Sequence, residues 1–360
     1  MLDSLPTPTL LLERARLAAN ISRMQAVCDA HGVELWPHVK THKTVEIARM
    51  QLAAGAAGLT CAKLGEAEAL LPCGVRRVFV AHSLVDVLHA PRLRALADHL
   101  DELIVAATSE AQAEALERVL ARTDLRLPVF LAVDTGLARE GARTEDDVLR
   151  LAAFIARQRH LELRGLYSHE GHAYQSAPGD EAATARTIHE RLTGLRDRLD
   201  DPSLALWPGC SVTAAAMAAL PGVNAVRPGT YVFGDLSLAG RAAVMAWDDL
   251  VLTVLTTIVD RPAPDLALLD AGSKTLSSDK TAGGIHGSLF DRRAIHVSRL
   301  SEEHGWTTGP DVDQLRVGER VRIVPAHVCP VVNLADDVTV VDEAGGVVDT
   351  WRIAARGKVW

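Results

Sequence analysis

The residue types that could do chemistry gather in a few short runs. The first is Trp36-Pro37-His38-Val39-Lys40, followed by Thr41-His42-Lys43. Side chains alternate along a strand, so Glu34, Trp36, His38 and Lys40 share one face of a strand over 33–40. Val33, Leu35, Pro37 and Val39 share the other. The apolar set suits a helix layer, which turns Lys40 inward. A partly desolvated lysine has a depressed pKa and a free amine that can form an imine with a carbonyl. Lys43 lies beyond the strand, with no such enforced direction. Taken alone, Lys40 is also readable as a solvated strand-end lysine.

Five further runs carry polar chemistry. In Val133-Asp134-Thr135-Gly136-Leu137-Ala138-Arg139-Glu140-Gly141 two glycines flank Arg139. Such a turn can aim a guanidinium at an anionic oxygen, or simply expose it. Tyr167-Ser168-His169-Glu170-Gly171-His172-Ala173-Tyr174 holds two of the chain's 3 tyrosines and two histidines. Packing can account for one of those four, not for all. Pro208-Gly209-Cys210-Ser211-Val212-Thr213 and Arg227-Pro228-Gly229-Thr230-Tyr231 are glycine turns. Their backbone N–H groups can face a phosphate, or their Ser and Thr side chains can cap a following helix. In PAHVCPVVN, His327 and Cys329 stand two apart on an expected strand and so share a face. Imidazole with thiolate suits Zn²⁺, and two protein donors leave positions for water or substrate. A buried Cys beside a satisfied His is the plain alternative.

These runs fall at the ends of regularly repeated elements. Between about residues 33 and 235, short β-branched runs alternate with Ala/Leu/Glu/Arg-rich helical stretches. Strands are expected at 33–40, 58–62, 77–82, 103–109, 125–134, 161–170, 205–210 and 225–234. Strict alternation means a parallel sheet. Eight units predict an α/β fold, a (β/α)8 barrel with its active site at the C-terminal strand ends; an open doubly wound sheet is the alternative. From about residue 246 strand-like runs with polar turns predict a second, all-β domain. The expected boundaries are 10–245 for the barrel and 246–360 for the β domain, with residues 1–9 able to add a strand to the latter.

Bulk properties narrow the partners. The chain has 360 residues and a net charge of −8, with no basic nucleic-acid footprint. Its 5 cysteines are odd in number and irregularly spaced, which fits a reducing compartment better than a disulfide framework. The first residues lack a signal-peptide pattern, and no run approaches the ~20 apolar residues that span a bilayer. The expected location is the cytoplasm, without membrane or nucleic-acid partners.

Together PHVKTHK, VDTGLAREG, YSHEGHAY, RPGTYVFGD, DAGSKTLSSD and PAHVCPVVN resemble the D-serine dehydratase and D-threonine aldolase group. That group belongs to the alanine-racemase-like, fold-type III pyridoxal-phosphate enzymes. The resemblance implies a barrel plus β domain, a homodimer, and Lys40 as the Schiff-base lysine. It sets Arg139 near the phenolic side of the cofactor, with Tyr167 and Tyr174 lining cofactor or substrate. Cys210 through its backbone, Ser211, Gly229 and Thr230 would hold the phosphate. Arg227 matches the arginine facing the pyridine nitrogen in alanine racemases. His327 and Cys329 match the metal ligands of the dehydratases, whereas the aldolases usually show His-x-Asp. Asp270 and Lys274 match without a role.

The implied activity is β-elimination from a D-β-hydroxy amino acid such as D-serine or D-3-hydroxyaspartate. Lys40 would serve as base and Zn²⁺, or another divalent metal, would polarise the hydroxyl. In the aldolase alternative His172 removes the hydroxyl proton, and glycine and an aldehyde form. A non-catalytic cofactor-homeostasis protein would be a single barrel without the metal pair. A racemase would need a catalytic tyrosine in the second domain, and none is evident.

Overall fold

The computed structural model describes residues 2–360. After a first strand, β1 (Thr9–Glu13), eight short strands alternate with helices. They are β2 (Glu34–Leu35), β3 (Leu59–Cys61), β4 (Arg77–Val80), β5 (Glu102–Ala107), β6 (Leu127–Val133), β7 (Leu161–Ser168), β8 (Ala205–Trp207) and β9 (Ala225–Val226). β3 through β8 form one parallel sheet, and β2 pairs parallel with β9. A parallel bridge from His38 to Thr60 joins β2 to β3. The Asn224 N–H donates to Leu206 O at 3.0 Å and links β8 to β9. The eight strands thus close the expected (β/α)8 ring.

Two strands are much shorter than expected, β9 ending at Val226 rather than residue 234. β2 stops at Leu35, and Lys40 sits in a 3-10 turn, Val39–Thr41. Pro37 has no N–H to give to a ladder, so regular pairing lapses there and resumes only as the bridge at His38.

The ring interior is aromatic. Trp36, Phe79, Phe130, Tyr167 and Trp207 pack together, with centroids 4.4 Å apart for Trp36 and Trp207 and 4.3 Å for Phe130 and Trp207. Gly165 makes room for them: a Cβ there would lie 2.3 Å from Ala205 O and 2.5 Å from the Phe130 ring. The outer helices bury one stripe each. Glu110–Leu120, for example, buries Ala113, Leu116, Val119 and Leu120 behind an N-cap at Ser109.

The second compact unit is antiparallel. Its strands are β10 (Leu252–Ala263), β11 (Leu266–Leu269), β12 (Gly287–Leu289), β13 (His296–Leu300), β14 (Gly305–Thr308), β15 (Arg320–Pro325), β16 (Asp337–Val341) and β17 (Val347–Arg352). The order β11-β14-β13-β12-β15-β10, with β10 also paired to β11, closes six of them into a barrel. β1 extends it, antiparallel to β10 and parallel to β16.

The units divide elsewhere than expected. One is Ser22–Lys40, Ile47–Gly229 and Lys358–Trp360; the other is Met1–Ile21, Thr41–Glu46 and Thr230–Gly357. The division thus falls at Gly229 rather than residue 245, and at Ile21 rather than residue 9. The cause is hydrogen bonding. β1 is laddered to β10, the Val251 N–H donates to Phe233 O at 2.8 Å, and the Asn20 amide donates to Asp249 O at 2.9 Å. Among the described residues no helix is long and apolar enough to cross a membrane.

The aromatic interior carries a prediction. Phe130 is 3% exposed and has ring neighbours on two sides. Phe130→Ala should cost about 3–5 kcal/mol, read as a lower urea midpoint by tryptophan fluorescence. A loss below ~1 kcal/mol would mean the ring interior is not close-packed.

Candidate active site

A cleft of about 360 Å³ opens at the C-terminal ends of the parallel strands. It is lined by His38 and Lys40 after β2, Ala62 after β3, Ala81 and His82 after β4, Arg139 and Glu140 after β6, Tyr167 and His169 at the end of β7, and Arg227 after β9. The alternation argument therefore picked the inward set although the strand is short. Trp36 enters the aromatic core while His38 and Lys40 line the cleft. Lys43 is not directionless. It is buried, and its Nζ donates to Ala355 O at 3.3 Å.

The cleft is crowded with cations and keeps its imidazoles neutral. Burial, then the charges of Lys40, Arg227, His169 and Arg139, holds His38 well below the usual histidine value. Burial, then Lys40, Arg139 and Arg227, does the same to His169. Burial pushes the Tyr167 phenol above its ordinary value, helped by Glu140, so it is a neutral donor. It gives its hydrogen bond to Ala81 O at 3.3 Å. Arg227 is 4% exposed. Its Nε donates to Trp207 O at 3.2 Å and its Nη2 to Ser168 O. Its guanidinium lies over Tyr167 at 4.9 Å and Phe79 at 5.4 Å. Burial lowers its pKa, opposed by Tyr167, Glu170 and Cys210.

Arg139 is delivered by a capped turn. Asp134 Oδ1 accepts the Gly136 N–H at 3.0 Å and the Ala138 N–H at 3.1 Å. Burial raises the Asp134 pKa, but these N–H groups and Arg143 outweigh it and the net shift is downward. Ala138 is left-handed at φ 59°, which turns the chain so that Arg139 and Glu140 face the cleft. Glu140 in turn accepts from Ser83 Oγ at 3.1 Å. His172 does not line the cleft. Its ring lies against Gly136, where a Cβ would come within 3.4 Å, and its Nδ1 is buried without a hydrogen-bond partner. Tyr174 is half-buried in the 3-10 segment Gly171–Gln175 and is also absent from the lining.

The two glycine turns meet at one bond. The Gly229 N–H donates to Ser211 Oγ at 3.2 Å. Cys210 differs from expectation: its backbone N–H is engaged inside the turn, donating to Thr213 Oγ1 at 3.3 Å. Burial and the Glu170 charge push its thiol up to about 11. It is thus a protonated donor, 3.4 Å from Glu170 O. Thr230 belongs to the other unit, with its Oγ1 3.8 Å from Cys329 Sγ.

His327 and Cys329 do not share a strand face. β15 ends at Pro325, His327 is extended at φ −141° and ψ 112°, and Cys329 lies in the first turn of the helix Val328–Leu334. Pro330 explains this, since a missing N–H costs nothing in a first helical turn. The two side chains meet nonetheless, hydrogen-bonded to each other. His327 Nδ1 is bonded to Asp279 Oδ2 at 2.7 Å. Burial alone would lower the His327 pKa, but Cys329, then Asp279 and Asp235, raise it to about 9. Asp235 accepts the Val328 N–H at 3.2 Å and so fixes the helix start. Among the described residues no three His, Cys, Asp or Glu side chains form a metal cage. The pair alone fits an open site: imidazole and thiol converge, and a carboxylate orients the imidazole through its far nitrogen.

DAGSKTLSSD now divides by role. Asp270 Oδ1 accepts from Thr256 Oγ1 and from the Thr257 N–H, bracing β10. Lys274 pairs with Glu302 and Glu303 on the surface. Asp279 orients His327. Sequence reasoning did not single out His38, His82, His169, Glu140, Asp235 or Asp279 as site residues. The signal for two of them was present: His38 alternates with Lys40, and His169 with Tyr167.

The neutral imidazoles predict a pH dependence. Below about pH 6.5 an unfolded histidine takes up a proton that buried His38 and His169 refuse. Stability is therefore full above that pH and declines as pH falls. Urea midpoints at pH 7.5 and 5.5 should differ less in His38→Gln and His169→Gln than in the wild type. An unchanged difference in both variants would contradict the assignment.

Comparison with known proteins bears on this geometry. The profile of the alanine racemase N-terminal domain matches residues 12–237, and that of the putative serine dehydratase domain matches residues 251–341. A D-threonine aldolase of Arthrobacter sp. is 30% identical over 98% of this chain and 93% of its own. A D-threo-3-hydroxyaspartate dehydratase of Delftia sp. (strain HT23) is 31% identical over 91% of each. The crystal structure of D-threonine aldolase from Filomicrobium marinum has a TM-score of 0.90 at 28% identity, covering 100% of this chain and 97% of that one. A cysteine-to-alanine mutant of D-threo-3-hydroxyaspartate dehydratase, in its metal-free form, gives 0.87 at 29% identity over 98% of both. The chain belongs to the alanine racemase N-terminal domain family, together with these aldolase and dehydratase relatives.

Proposed function

We propose that the chain is a metal-assisted pyridoxal 5'-phosphate lyase. It removes water from a D-β-hydroxy amino acid, D-serine or D-3-hydroxyaspartate being the leading candidates, and leaves a keto acid and ammonia. The observation that carries the reading is a lysine, Lys40, sharing one cleft with Arg139, Arg227 and Tyr167 beside two neutral imidazoles. These groups fit an anionic aldehyde: an amine to attach it, two guanidiniums to match its charge, and a phenol to pack on it. When bound, the cofactor's ring withdraws electrons from the substrate α-carbon.

The residues then divide the work. Lys40 holds the cofactor covalently and, once displaced by the substrate amine, takes the α-proton. Arg139 would hold the phenolic oxygen and Arg227 the pyridine nitrogen. Tyr167 and Tyr174 border cofactor or substrate. Ser211, Gly229 and Thr230 would take the phosphate. A zinc or other divalent ion on His327 and Cys329 supplies Lewis acidity toward the β-hydroxyl. The electron pair left at Cα would form the Cα=Cβ bond, and the hydroxyl would leave Cβ as water with the proton that Lys40 took from Cα. The released enamine tautomerises and hydrolyses to keto acid and ammonia. We infer also that the enzyme is cytoplasmic and works as a homodimer.

Retro-aldol cleavage to glycine and an aldehyde is the second reading, favoured by the D-threonine aldolase relative. There His172 would take the hydroxyl proton. Cys329 favours dehydration, because a thiolate selects zinc where the aldolases of the resemblance carry aspartate.

Two experiments test this. Purified protein should absorb in the visible region, and Lys40→Ala should lose that band. Lys43→Ala should keep it, because the Lys43 amine is committed to Ala355 O; the reverse pattern would overturn the assignment. With D-serine the protein should release pyruvate and ammonia, and chelation should abolish turnover while the visible band remains. Aldehyde without keto acid from every D-hydroxy amino acid tried would move the reading to aldolase.

A further inference from the structure

We propose that Glu170 is a positioning residue that holds the Gly209–Thr213 turn in shape, and through that turn grips the cofactor's phosphate; this rests on the cofactor reading above. Glu170 follows β7 and is 0% exposed. It is absent from the cleft lining, so it touches no reacting atom. A buried carboxylate is costly unless its oxygens are satisfied. Here they are, and mostly by one turn. Oε2 accepts the Gly209 N–H at 2.8 Å and Thr213 Oγ1 at 3.5 Å. Oε1 accepts from Ser168 Oγ. The Glu170 carbonyl accepts from Cys210 Sγ at 3.4 Å.

That turn needs an anchor. Gly209 is at φ +118°, a conformation glycine permits but does not enforce. With Gly209 held, the Cys210 N–H closes on Thr213 Oγ1, and Ser211 Oγ is presented to the Gly229 N–H at 3.2 Å. Glu170 thus ties the end of β7 to the turn after β8, and Ser211 ties that turn to the one after β9. The charge itself would repel a phosphate dianion. The value of Glu170 to the site is therefore shape, not attraction. A competing role exists, since Glu170 also supports the buried Arg227 guanidinium electrostatically. Arg227 is assigned to the ring, so that role would weaken binding with or without a phosphate.

Pyridoxal, which lacks the phosphate, separates the two. Apoprotein is titrated with pyridoxal 5'-phosphate and with pyridoxal, and the ratio of the two affinities is compared between wild type and Glu170→Gln. The amide keeps one acceptor oxygen and no charge, so it cannot accept from the Gly209 N–H, Thr213 Oγ1 and Ser168 Oγ together, and charge-assisted bonding is lost. The ratio should fall about tenfold or more, with pyridoxal affinity nearly unchanged. Equal losses for both ligands, or none, in a variant with native circular dichroism overturn the proposal. If Glu170→Gln does not fold, Thr213→Val removes one donor to Glu170 together with the acceptor of the Cys210 N–H. Its ratio should fall about threefold, and an unchanged ratio overturns the proposal equally. A wild type that binds both ligands alike refutes the phosphate placement itself. A wild type that binds neither refutes the cofactor reading.

Discussion

A closed ring of parallel strands must fill its own interior, and this one does so with large aromatic rings. The cleft depends on that filling. Phe79 and Tyr167, in edge contact at 5.1 Å, form the surface on which the Arg227 guanidinium lies. A fully buried guanidinium would be costly to desolvate. Two carbonyls, two ring faces and the nearby Glu170 carboxylate offset that cost and leave one orientation. Burial first, and the charges of Lys40, Arg139 and Arg227 after it, set the protonation of the neighbouring imidazoles. With Lys40 and Arg139 also near, a protonated His38 or His169 would be a further positive charge in a desolvated place, so both stay neutral. Packing, charge and proton state are thus one chain of cause, starting from aromatic burial.

Much of the barrel was legible because period-two and period-3.6 patterns alternate cleanly. All eight strand segments appear where the residues placed them. The inward direction of Lys40 was legible too, although the element carrying it was not. Pro37 cut the strand short, and the bridge at His38 kept the register going. The division between units was less legible, because hydrogen bonds far apart in sequence decide it. No local pattern reveals that β1 pairs with both β10 and β16.

The metal pair illustrates a different limit. Two residues at i and i+2 read naturally as one strand face, and here that geometry is wrong. The side chains converge because one residue precedes a helix and the other opens it. The acidic residues that fix the arrangement, Asp235 and Asp279, lie 92 and 48 residues upstream of His327 by their numbering. Their roles follow from folding alone. Asp235 accepts N–H groups of Ser237, Leu238 and Val328, so it determines where the helix Val328–Leu334 can begin. Sequence supplied the donors; three-dimensional capping supplied their convergence.

The choice between breaking a C–O and a C–C bond turns on the same donors. A shared set of groups activates the α-carbon in either case. What differs is how strongly the β-oxygen is drawn away and whether a base stands ready to take its proton. His172, the base assigned to cleavage, rests against Gly136 and, like His327 and Cys329, is absent from the cleft lining. His327 and Cys329 combine a carboxylate-backed imidazole with a sulfur donor, a set suited to a strongly polarising ion. Such an ion on the β-oxygen would weaken the C–O bond and also acidify the hydroxyl, so it would serve either bond cleavage. Elimination is the reading proposed above, and the relatives carry both activities, a D-threonine aldolase and a D-threo-3-hydroxyaspartate dehydratase among them.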